Sequence, residues 1–133
     1  SKGTNVGATV AALNGLGSNE SGKRIWLIAG GDGKSQDFSP LREPALRFVK
    51  GAFLIGQDAE KIAEALGEQV LCTNAGTLHA AVQAAAAQAQ SGDLVLLSPA
   101  CASFDQFQNY IERAQVFASE VEELGMRFEG VQA

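Results

Sequence analysis

Two short stretches carry the residue types that can do chemistry. In Gly30-Gly31-Asp32-Gly33-Lys34-Ser35, one ammonium sits on a glycine turn. The Walker phosphate loop needs a glycine five residues before Gly33-Lys34, where Ile28 stands, and the dinucleotide fingerprint needs one where Gln36 stands. A nucleotide-phosphate loop is therefore disfavoured against a plain glycine turn, and a third reading is preferred: Lys34 pairs with a substrate carboxylate. The second stretch, Leu96-Leu97-Ser98-Pro99-Ala100-Cys101-Ala102-Ser103-Phe104-Asp105-Gln106-Phe107, runs from apolar residues into small polar ones just before a helical pattern. Ser98 and Ser103 offer hydroxyls. Ser103 stands at a helix start, where unpaired N–H groups suit an anion, although a simple capping role fits equally well.

Other reactive types are weaker. No Gly-x-Ser-x-Gly elbow is present, so a serine nucleophile is poorly supported. Cys101 near a helix start can be reactive, but buried filler is the better reading. Phe107 and Tyr110 fall on an apolar helical stripe, from which Tyr110 can reach the loop. Lys2 and Thr4 form a third polar cluster ahead of a helix. They belong to the same edge if a strand precedes residue 1, and otherwise to a frayed terminus. A single histidine excludes a multi-histidine metal centre, and His79, in an alanine-rich helical pattern, reads as structural or surface; no metal site is expected. Cys72 and Cys101 have no metal-ligand spacing and read as reduced thiols of a cytoplasmic protein.

The elements that must position these residues alternate. Apolar runs at 24–29, 51–56 and 93–97, with a weaker one at 68–72, read as strands. Helical patterns start at Thr4 or Asn5 (stopping at Asn14-Gly15), at Ser39-Pro40, near Ala59 (stopping at Gly67), and at Thr73 or Asn74. The clearest helical period, from Phe107 to Leu124, comes last. Residues 126–133 read as a tail or a short edge strand. The alternation predicts one α/β domain over 1–133, with a Rossmann-like, mostly parallel sheet and helices on both faces. Ligands in such folds sit at the carboxyl ends of the strands, where the loops 30–39 and 98–106 fall.

The totals agree. A chain of 133 residues, 46% hydrophobic with 15 glycines, can bury one core. A net charge of −5 without a basic run argues against nucleic acid, and no stretch is long and apolar enough for a membrane. On residues alone the chain reads as a domain that binds a small carboxylate. A self-contained nucleotide-binding or signalling module of flavodoxin-like topology is the alternative. The opening on Ser1 without an initiator methionine fits either processing or a piece of a longer polypeptide.

Ser1-Lys2-Gly3-Thr4-Asn5, Gly30-Gly31-Asp32-Gly33-Lys34 and Leu97–Phe107, in this order and at these separations, resemble the Mur ligase family of peptidoglycan synthesis. The third motif favours the member that adds D-glutamate. The resemblance covers roughly residues 1–125 and implies the last of three domains, which brings the amino acid to a central ATPase. It implies that ATP phosphorylates the carboxylate of UDP-MurNAc-L-alanine and that the D-glutamate amine attacks the acyl phosphate. ATP and Mg2+ are then held mainly outside this chain, with no catalytic residue in it. The D-glutamate contacts carry over to Thr4, Lys34, Ser103, the Phe104 N–H and Tyr110, the last often phenylalanine in the family. Lys2 and Asn5 are implied on the ATP side, and the aspartate that precedes them in the family motif is missing. The resemblance further implies a cytoplasmic, monomeric enzyme, inactive as this part alone.

Overall fold

The computed structural model describes residues 6–18, 22–31, 37–101 and 127–130. Five parallel strands form one sheet in the order β3-β2-β1-β4-β5: β1 Ile25–Gly31, β2 Val49–Ile55, β3 Cys72–Gly76, β4 Leu94–Cys101 and β5 Arg127–Gly130. The central strands β1, β2 and β4 are apolar nearly throughout because both their faces are covered. Alternate residues divide between two clusters. Ile25, Leu27, Val49, Ala52, Leu54, Leu94 and Leu96 face one side. Trp26, Ile28, Phe53, Ile55, Val95 and Leu97 face the other. A fully buried leucine such as Leu27 or Leu96 stabilises the fold by roughly 2 kcal/mol.

The first face packs against α1 (Val6–Gly17), a 3-10 turn (Ser39–Leu41), α2 (Arg42–Phe48) and α3 (Ala59–Leu66) through Leu13, Leu41, Ala45, Ile62 and Leu66. The second face packs against α4 (Leu78–Gln88) through Ala81, Val82 and Ala85, small residues that let the helix lie close to Trp26 and Phe53. The expected α/β, Rossmann-like architecture with helices on both faces is the one observed. The strand order differs from the flavodoxin-like 2-1-3-4-5 and matches the dinucleotide-fold order 3-2-1-4-5.

Local departures from expectation have physical causes. The third strand is not at 68–72: Val70 enters the core while Leu71 stays 68% exposed, and pairing to β2 runs from Ala52–Cys72 onward. Thr73 and Asn74 therefore lie in a strand, and Thr77 caps α4, its Oγ1 accepting from the Ala80 N–H at 3.1 Å. Neighbour pairing overrode the weak strand propensity of Cys-Thr-Asn-Ala-Gly. Ser39 supplies no side-chain cap. The carboxylate of Asp37 accepts the Ser39 N–H at 3.0 Å instead, and this bond, followed by one from the Ser39 hydroxyl, holds the Asp37 carboxyl below its ordinary range. Helix α1 continues past Asn14-Gly15 to Gly17, which lies against the Phe48 ring where a Cβ would collide. Of the 126–133 segment, Arg127–Gly130 is the short edge strand, paired along β4 from Leu94 to Leu97. The helix expected from Phe107 to Leu124 lies outside the described residues.

Candidate functional site

The order of the strands reverses direction between β1 and β4, since β2 and β3 lie to one side of β1 while β4 and β5 lie to the other. The carboxyl ends of β1 and β4 therefore form the topological switch point, the position at which such sheets bind their ligands. Pairing between these strands is regular from Ile25–Leu94 to Ala29–Ser98, then shifts, so that Gly31 pairs with Cys101. The two loops singled out in the sequence thus leave the sheet from neighbouring backbone positions, although seventy residues separate them in the chain.

Gly30 fixes the backbone near the end of β1. Its φ is +142°, in a region other residues rarely adopt, and a Cβ there would strike the carbonyl oxygen of Ile55 on β2. The chain can leave β1 at this angle only because position 30 has no side chain. On the neighbouring strand, β4 carries Leu94, Leu96 and then Ser98 toward the α1 face. Ser98 is buried, and its hydroxyl shares a hydrogen bond with the hydroxyl of Thr9, which is also buried. Helix α1 therefore runs from the carboxyl edge of the sheet, where Thr9 meets Ser98, to the amino edge, where Gly17 meets Phe48 just ahead of β2.

Also at the carboxyl edge, Asp58 is buried at the start of α3, with Lys61 Nζ 3.9 Å from its Oδ1. Beside it, β3 ends in a turn in which Asn74 Oδ1 accepts the Gly76 N–H at 3.1 Å. Cys72, a free thiol on the outer strand, is pushed up in pKa by burial, which makes it a poor nucleophile. His79 is exposed on α4. Among the described residues no three His, Cys, Asp or Glu side chains converge as a metal site.

The residues singled out in the sequence, namely Lys2, Thr4, Asn5, Lys34, Ser103, Phe104 and Tyr110, lie outside the described residues. The described structure pairs two of the points to which their segments attach, Gly31 at the end of β1 and Cys101 at the end of β4, and joins α1 to β4 through Thr9 and Ser98. Thr9 was missed by sequence reading. Its signal was present: Val6, Thr9, Val10 and Leu13 share one helical face, so a hydroxyl at position 9 is aimed inward. Asp58 carried no such signal, because an aspartate before a helix reads as an ordinary exposed cap.

Comparison with known proteins follows the same outline. Residues 1–101 match the family model described as Mur ligase, glutamate ligase domain. A UDP-N-acetylmuramoylalanine–D-glutamate ligase of Ralstonia nicotianae is 63% identical over 118 residues, which is 88% of this chain and 23% of that protein. The protein of the same name from Pseudomonas savastanoi pv. phaseolicola is 57% identical over 122 residues, 92% of this chain and 27% of its own length. That of Burkholderia mallei is 57% identical over 127 residues, 95% and 24% respectively. The chain spans about a quarter of the length of the curated relatives it matches.

Proposed function

Because this chain belongs to the Mur ligase family through its glutamate ligase domain, we infer that it is the D-glutamate-binding domain of an ATP-dependent ligase. That enzyme adds D-glutamate to UDP-MurNAc-L-alanine in peptidoglycan synthesis. The observation that carries the reading is the pairing of Gly31 with Cys101 at the switch point, which starts the Lys34 and Ser103 loops side by side. The names of the relatives supply the substrate class.

In this reading the Lys34 ammonium meets one carboxylate of D-glutamate. The Ser103 hydroxyl and the Phe104 N–H meet the other, with Thr4 and Tyr110 closing the sides. An ammonium opposite hydroxyl and backbone donors complements a dicarboxylate, with charge-assisted bonds supplying most of the grip. So held, the amine of D-glutamate is aimed at the acyl phosphate of the alanine carboxylate. A C–N bond forms, a proton leaves the amine, and the C–O bond to phosphate breaks to yield the amide and inorganic phosphate. The domain's share is orientation, worth up to several kcal/mol of the barrier. ATP with Mg2+ supplies the activating phosphoryl group. Both are assigned mainly to the remainder of the enzyme, with Lys2 and Asn5 on the ATP side. A cytoplasmic, monomeric enzyme is part of the same reading, and among the described residues no helix is long and apolar enough to cross a membrane.

Steady-state kinetics of the full-length ligase carrying Lys34→Ala or Ser103→Ala provide the test. The expected outcome is a KM for D-glutamate raised about a hundredfold or more, as for loss of a charge-assisted contact, with ATP binding retained. Unchanged D-glutamate kinetics in both variants would overturn the reading. An NMR titration of the 133-residue chain with D- against L-glutamate tests stereochemistry directly.

A further inference from the structure

We draw no further inference here: the strongest candidate, the outer edge of β3 with Leu71 68% exposed just ahead of it, is a surface patch for which nothing among the described residues shows what covers it.

Discussion

The two edges of the sheet are held by different chemistry. At the amino edge, Asp93 is completely buried just ahead of β4 and gathers its neighbours. Its Oδ2 accepts from Trp26 Nε1 on β1 at 3.0 Å, from Lys50 Nζ on β2 at 2.9 Å and from the Gln90 N–H at 2.9 Å, while Arg24 lies 3.8 Å from Oδ1. Lys50 also stands 5.6 Å over the Trp26 ring, which stacks on Phe53. One carboxylate thus fastens the beginnings of three strands. At the carboxyl edge the corresponding link at β4 is a neutral hydroxyl pair, and the exit of β1 is set by a glycine. A fixed internal charge at the switch point would attract or repel a charged ligand.

The contrast can be broken from either side. Gly30→Ala is expected to have the largest effect, destabilising the chain by about 4 kcal/mol in urea denaturation, since it combines a disfavoured φ with a collision at Ile55. D-Glutamate affinity should fall with it. Asp93→Ala comes next, at about 3 kcal/mol, because it strands Lys50 and the Trp26 N–H. Here the loss should be purely of stability, with the substrate KM of the full-length enzyme at permissive temperature unaffected.

Asp93 also makes the amino edge acid-sensitive. Desolvation is the largest influence on its carboxyl and acts to raise its pKa. The Gln90, Lys50 and Trp26 bonds and the Lys50 charge together outweigh it, leaving the pKa below the ordinary 3.8. A carboxyl lowered in the folded state contributes stability that is complete above the unfolded value and is lost as pH falls through the folded one. Stability should therefore decline below about pH 4, and Asp93→Asn should flatten that decline in acid titrations followed by circular dichroism. Trp26→Phe removes one donor to Asp93 and keeps most of the ring, so a loss of about 1 kcal/mol in unfolding free energy by urea denaturation is expected. Leu71→Ser, on a side chain that is 68% exposed, should change stability by less than about 0.5 kcal/mol.

Much of this architecture is legible in the residues. The runs at 24–29, 51–56 and 93–97 fall on observed strands except for Arg24, Gly56 and Asp93 at their ends, because a strand covered on both faces must be apolar nearly throughout. The stop at Gly67 is also observed, at a φ of +86°. The edge was harder to read. In Cys72–Gly76 no side-chain pattern marks a strand, and only its pairing to β2 makes it one. The cap of α4 consequently moved from Thr73 or Asn74 to Thr77. Thr9 and Ser98 could not be read as partners, because they stand 89 positions apart in the chain.

The sequence by itself determined the alternation of strands and helices and the two-sided burial of the central strands. These are local properties, written in periodicity and residue type. Only the tertiary structure decided the strand order that turns between β1 and β4, the shifted register that pairs Gly31 with Cys101, and the joining of Thr9 to Ser98. Register depends on which strands become neighbours, and long-range pairing of apolar strands leaves no mark in either partner's own sequence.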